Sequence, residues 1–203
     1  MSKDWVGNSK AAYGTLGASN HSETEREEND YYATSPKAVE MLLEQETFSE
    51  KIWECASGED HIAKVLRKHG YDVWCTDIVD RTGHTEIRDF LKEKRAFYGD
   101  IITNPPYKYA QEFVEHALWS VQYGNKVAMY LKLTFLEGKK RQQLFKQRNL
   151  KTIYVMAGRM GCAKNGEFSD KENETESGAV AFAWFVWEKG YYGDPVIKWL
   201  NVK

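Results

Sequence analysis

The chain has 203 residues, 42% of them hydrophobic and 29% charged, with a net charge of −2. This suits one globular domain with a full core. No apolar run approaches the roughly 20 residues of a membrane span and the first residues lack a signal peptide's apolar segment, so no membrane association is expected. Three cysteines (Cys55, Cys75, Cys162) are an odd number without metal-ligand spacing. They argue against a disulfide framework and a metal site, and for a reducing, cytoplasmic compartment.

Residues 1–29 are rich in Ser, Asn, Gly and Glu without a period and read as a mobile arm, which leaves 30–203 as the folded domain. A helix starts at Ser35-Pro36, with Ala38, Val39, Leu42 and Leu43 on one face. A short strand is expected at 51–55. A helix follows at 58–69, with Ile62, Ala63, Val65 and Leu66 at helical spacing, and a second strand at 71–78. A charged segment with Ile87, Phe90 and Leu91 precedes a strand at 98–103. Ala110, Phe113, Val114, Ala117, Leu118 and Val121 mark an amphipathic helix. A strand at 127–133, a basic helix at 136–147 and a strand at 153–156 come next. Residues 157–178 are polar and too many for a simple connection. Residues 180–187 are strongly β-prone, and 196–200 are expected to pair with them as a terminal hairpin.

Alternating strands and helices predict an α/β fold, a mostly parallel sheet with helices on both faces and a closing antiparallel strand near the C-terminus. Such sheets bind ligands at the carboxyl ends of their strands, where strand order reverses.

The most informative residues are Asn104-Pro105-Pro106-Tyr107, directly after the apolar run 99–103. Two prolines stop the strand. They fix an amide and an aromatic ring at its end, equipment for accepting hydrogen bonds from an amino group and stacking on a flat ring. A proline-stiffened turn with a core tyrosine is the competing reading. At the end of the first strand, Glu54 precedes the small residues Ala56, Ser57 and Gly58, where a backbone can approach a ligand and a carboxylate suits an ammonium. Glu54 can also simply cap a helix. Asp77, followed by Ile78, ends the second strand, where a carboxylate can accept both hydroxyls of a ribose or stand as an exposed acid. Asp89-Phe90 and Tyr31-Tyr32-Ala33-Thr34 complete the set. Asp89 also reads as a helix-surface acid, and the two tyrosines as a staple on the helix that follows.

Charge is unevenly spread. Residues 1–60 hold five basic and thirteen acidic residues, whereas 126–164 hold ten basic and one acidic. A basic segment is the footprint a polyanion needs, or else a solvated helix face. Lys139, Lys140, Arg141, Arg159 and Lys164 are the candidate phosphate contacts. Phe168 is a candidate stacking residue, or a pin for its own loop.

The order aromatic-Thr-x-Pro, strand-acid-glycine, strand-acid, Asp-Phe, Asn-Pro-Pro-Tyr resembles the S-adenosylmethionine (SAM) dependent DNA adenine methyltransferases. It looks most like their small phage or prophage members, which lack a separate target-recognition domain. The resemblance implies a single-domain, Rossmann-like methyltransferase fold. It implies methyl transfer from SAM to the 6-amino group of adenine in DNA. Asn104, Pro105, Pro106 and Tyr107 would hold the acceptor. Tyr31, Tyr32 and Thr34 would touch the methionine part of SAM. Glu54, Ala56, Ser57 and Gly58 form the first motif, Asp77 and Ile78 meet the ribose, Asp89 and Phe90 the adenine, and Asn104 belongs to both sites. The sequence departs from the family in that only Gly58 remains of the usual loop glycines. RNA adenine methylation, protein glutamine methylation and a non-enzymatic nucleic-acid-binding module are the competing functions.

Overall fold

The computed structural model describes residues 32–157, 163–164 and 180–200. The expected arm 1–29, Tyr31, Arg159 and Phe168 lie outside the described residues. The described chain opens with a two-residue strand, β1 (Tyr32–Ala33), and helix α1 (Pro36–Leu43), which has Pro36 in its first turn. Ser35 stands at the cap position, although its side chain makes no capping bond. Strand β2 (Lys51–Glu54), helix α2 (His61–Lys68), strand β3 (Asp72–Asp77) and a short β4 (Glu86–Ile87) follow. Strand β5 (Asp100–Thr103) runs into the double proline, a 3-10 turn at Tyr107–Tyr109 and helix α3 (Ala110–Ser120). Strand β6 (Lys126–Lys132) leads through two 3-10 turns into helix α4 (Gln142–Lys146). Strands β7 (Leu150–Met156), β8 (Ala163–Lys164), β9 (Phe182–Glu188) and β10 (Val196–Leu200) end the fold.

Eight strands form one sheet in the order β10-β7-β9-β6-β5-β2-β3-β4, and β1 pairs with β8 separately. All pairs in the large sheet are parallel except those of β9, which runs antiparallel to both β6 and β7. The chain goes outward from β2 through β3 to β4, then returns to place β5 on β2's other side. Strand order therefore reverses between β2 and β5.

Both faces of the sheet are covered. Along β6, Val127, Met129 and Leu131 pack with Phe113, Val114 and Ala117 of α3. Ala128 and Tyr130 pack on the other face with Val39 and Leu42 of α1 and Leu66 of α2. This two-sided burial explains why β6 and β9 read as continuous apolar runs. Trp184 of β9 is anchored by its indole N–H, which donates to the Ala38 carbonyl at 2.8 Å.

Three expectations change. Strand β10 does not form a hairpin with β9; it lies parallel to β7 at the sheet edge. Both edges of β9 are already taken by β6 and β7, so β10 takes the free edge of β7. The expected basic helix 136–147 is broken, because Gly138 takes a φ of 106° between the two turns and only Gln142–Lys146 is α-helical. The expected loop 157–178 contains β8, whose residues Ala163 and Lys164 pair with Ala33 and Tyr32. Among the described residues no helix is long and apolar enough to cross a membrane.

Candidate active site

At the amino end of β5, Asp100 is fully used. Its oxygens accept from Asn125 Nδ2 at 2.8 Å, Lys126 N at 2.7 Å and Ser49 N at 2.6 Å. At the carboxyl ends, Thr34 Oγ1, Glu54 Oε2 and Ser57 Oγ are buried without a hydrogen-bond partner among the described residues. Buried polar atoms are almost always satisfied, and each exception costs about 1–3 kcal/mol. They gather beside the β2–β5 reversal, where a polar ligand could satisfy them.

The loop after β2 is tied to β3. Ser57 N donates to the Thr76 carbonyl at 3.1 Å, and Gly58 N to Asp77 Oδ2 at 2.9 Å. Gly58 has a φ of 53°, the left-handed region that suits glycine. Asp77 Oδ1 accepts from Val79 N at 3.1 Å, and Arg81 stands 3.6 Å away. Asp77 is thus no exposed strand-end acid; it is 8% exposed and pins two loops together. Each carboxylate oxygen accepts two bonds, so it keeps capacity for a ligand's hydroxyls. Ile78, next to it, is 53% exposed. Ala56 is half-buried.

A buried acidic cluster lies under this loop. Burial holds the Glu54 carboxyl well above the usual carboxylate range, and the neighbouring Asp60 and Asp77 charges push it the same way. Asp60 adopts a φ of 64°. An aspartate tolerates this backbone better than most residues, at a cost of about 1–2 kcal/mol. Its carboxylate is held by Arg67 and by His84 Nε2, both at 3.1 Å. Arg67 also donates to Cys75 Sγ at 2.9 Å. The ligand atoms of Glu54, Asp60 and Cys75 lie within 4.8 Å of one another, and the Arg67 guanidinium supplies the positive charge this group needs. Burial pushes the Cys75 thiol up to about 12 and the Cys55 thiol well above its usual value, so neither is a thiolate nucleophile at neutral pH.

Asn104 stands at the end of β5, across the reversal point from Glu54. Its Nδ2 donates to the Tyr32 carbonyl at 2.7 Å, which brings β1 and Thr34 to the site. Pro105 is buried; Pro106 and Tyr107 are half-buried. The Tyr107 ring stacks on Tyr32 with centroids 5.5 Å apart and planes 28° apart. Phe182, the first residue of β9, lies 5.7 Å from it, and the Lys132 ammonium 4.7 Å from its centroid. Lys132 and Phe182 escape a motif-based reading because they lie on distant strands. The signal that points to Lys132 is its place as the last residue of a parallel strand.

The other candidates divide. Asp89 Oδ1 accepts from Leu91 N at 3.1 Å, capping the short 3-10 turn Phe90–Lys92, and the same carboxylate pairs with Lys92 at 2.8 Å. Phe90 is 1% exposed, edge-on to Trp53 at 5.0 Å and packed on Phe113, as a core residue is. Lys139 and Lys140 are exposed after β6. Arg141 turns back on its own loop, donating to the Glu137 carbonyl at 2.8 Å over the Phe135 ring. The backbone of Lys164 pairs with that of Tyr32. Elsewhere in the basic segment, Lys126 and Lys151 are paired with Glu46 and Glu188.

No protein-family model and no curated protein sequence matches the chain. Its fold does match solved structures. A class I SAM-dependent methyltransferase assignment from Listeria monocytogenes superposes with a TM-score of 0.57 at 12% identity, over 94% of this chain and 71% of the other. The M protein of the type I restriction enzyme EcoKI superposes with a TM-score of 0.55 at 13% identity, over 86% of this chain and 49% of the other. A SAM-dependent O-methyltransferase from Thermotoga maritima gives 0.51 at 10% identity, over 81% and 69%. At these identities the likeness establishes the fold, which is the Rossmann-like methyltransferase fold.

Proposed function

We propose that the chain transfers a methyl group from SAM to the exocyclic 6-amino group of adenine in DNA. The observation that carries this reading is the meeting, at one strand-order reversal, of Asn104 and Tyr107 with the loop from Glu54 to Gly58. Groups suited to an amino acceptor and groups suited to SAM face one place. The fold supports it, and so does the presence of a restriction-enzyme M protein among similar structures.

The residues present fit the cofactor. The buried Glu54 carboxyl suits its ammonium, the Thr34 and Ser57 hydroxyls its methionine part and Asp77 its ribose hydroxyls. Tyr31, Tyr32, Ala56, Gly58, Ile78, Asp89 and Phe90 belong to the same proposed site. When bound, SAM supplies an electrophilic methyl group on a sulfonium.

The protein's part is positioning and fixed dipoles. An exocyclic amino nitrogen is a poor nucleophile because its lone pair is delocalised into the ring. Asn104 Oδ1 and the Pro105 carbonyl accept hydrogen bonds from its two N–H groups and shift it towards tetrahedral geometry. Positive charge then grows on nitrogen, where these dipoles stabilise it. Tyr107 stacks on the base, which must first leave the duplex. Alignment of acceptor and donor supplies much of the rest. Neither Asn104 nor Pro105 takes a proton, so the nitrogen's surplus proton leaves to water.

The test is incubation with methyl-labelled SAM and duplex DNA, RNA or protein, preceded by a calorimetric SAM titration. Label in 6-methyladenine of DNA is the expected result. Label confined to RNA or to protein glutamine overturns the DNA assignment. Failure to bind SAM overturns the enzymatic reading.

A further inference from the structure

We propose that Lys132 binds a phosphate next to the acceptor base and thereby favours an acceptor carried on a nucleotide over one carried on a peptide. The inference rests on the function proposed above and adds to it a residue outside the motifs.

Lys132 is the last residue of β6, the strand beside β5, whose end carries Asn104. Thr103 is paired with Met129, so β6 continues past the motif's start towards Tyr107. The Lys132 ammonium rests 4.7 Å from the Tyr107 ring centroid. The side chain is partly buried. Other partly buried cations have oxygen partners: Arg141 and Lys189 donate to backbone carbonyls, and three more meet carboxylates. Lys126 pairs with Glu46 at 2.6 Å, Arg88 with Glu93 at 2.5 Å and Lys151 with Glu188 at 2.7 Å. Among the described residues no carboxylate pairs with Lys132; a ring quadrupole faces it instead. That quadrupole offsets only part of the cost of a half-desolvated charge. An ammonium in this state, at the mouth of a site, is prepared for an anion.

A planar acceptor stacked on Tyr107 has to share or take over the ring surface near Lys132. The flexible stem of lysine lets the ammonium leave the ring without backbone movement. If the acceptor is a nucleotide, its phosphate replaces the ring as the ammonium's partner. A glutamine side chain brings no anion and leaves the charge without compensation. The exposed Lys139 and Lys140 follow on the same connection and extend the positive path away from the site.

The test is a chemical double-mutant cycle on the full chain. The methylated adenine is first located in duplex DNA. The phosphates on either side of it are then replaced, one at a time, by a neutral methylphosphonate. Lys132→Met is expected to lower kcat/KM on ordinary DNA roughly 10-fold or more, mainly through KM. One methylphosphonate should lower the parent by a similar factor, and variant and neutral linkage together should be no worse than either alone. Lys132→Arg should restore most of the loss, and SAM affinity should stay unchanged. If the two losses multiply at both phosphates, or Lys132→Met acts like the parent, the inference is overturned while the proposed function stands. If the parent methylates no nucleic acid, the proposed function itself is overturned, and the inference with it.

Discussion

The amide nitrogen of Asn104 donates to the carbonyl of Tyr32 at 2.7 Å, joining residues 72 apart in the chain. One consequence is chemical. An amide has a donor end and an acceptor end, and this bond commits the donor end to the protein. In the proposed function the oxygen is the end that accepts the hydrogen bond from the acceptor's amino group. The bond also ties β1 to the proposed acceptor site although it precedes the main sheet.

Asn104→Ala is therefore expected to lower the methyl-transfer rate by on the order of a hundred-fold or more while SAM affinity stays close to that of the parent. Single-turnover transfer and equilibrium binding measured on the same preparation check this. Unchanged turnover would remove Asn104 from the acceptor site.

Asp77 holds Gly58 N and Val79 N, so its loss acts twice. Asp77→Ala should weaken SAM by about 1–3 kcal/mol, because ribose hydroxyls lose their acceptor. It should also lower the thermal midpoint of the ligand-free protein. Calorimetry with SAM and with its demethylated product reads the first effect. A lowered midpoint with unchanged affinity would make Asp77 a loop pin only.

Glu54 sets a pH dependence with a definite sign. Its folded-state carboxyl is raised chiefly by burial, then by the Asp60 charge and least by that of Asp77, against opposing effects of the Ala63 backbone and Arg67. The proton on Glu54 therefore favours the ligand-free fold. That stabilisation is complete below the ordinary carboxylate range and is lost as pH rises through the raised folded value. Glu54→Gln should abolish this decline, making the ligand-free variant more stable than the parent at alkaline pH. The same variant should bind SAM more weakly. In the parent, an ammonium beside Glu54 should expel its proton, so the calorimetric heat should depend on the buffer's ionisation enthalpy. Identical heats in phosphate and Tris would exclude that proton release.

Lys139 and Lys140 are free to meet a backbone, whereas Arg141 is spent on Glu137 and Phe135. Neutralising the two lysines should reduce the magnitude of the log–log salt slope for DNA binding by about 2, near one per phosphate contact. Arg141→Gln should instead lower the stability of the loop and leave the slope nearly intact. A full extra unit of slope lost with Arg141 would mean that it swings out to bind.

What the chain disclosed in advance follows from length of signal. β6 and β9 are buried on both faces and announce themselves as apolar runs. β4 and β8 have two residues each and carry no period to read. The partner of β10 depends on which edges are taken, a property of the assembled sheet. At the site, Asn104 and Tyr107 were legible because two prolines fix them locally. Lys132 and Phe182 acquire meaning only when β6 and β9 bring them to Tyr107. The core contacts of Phe90, edge-on to Trp53, were not legible in the motif that singled it out.

Trp53, one residue before Glu54, stacks on Trp74 with ring centroids 4.4 Å apart and planes 23° apart. Its indole N–H is fixed to Thr76 Oγ1 at 2.9 Å, and Phe90 meets it edge-on. Two indoles held this close and this rigidly share their electronic excitation. They give a coupled circular-dichroism band whose sign and size follow their mutual angle. One indole precedes the proposed cofactor loop and the other lies on the strand that ends at Asp77. The two residues are direct partners on hydrogen-bonded strands, so the band is expected to report whether this part of the sheet stays folded. The sheet beside the proposed site thus contains its own optical reporter, and Trp74→Phe is the control that silences it.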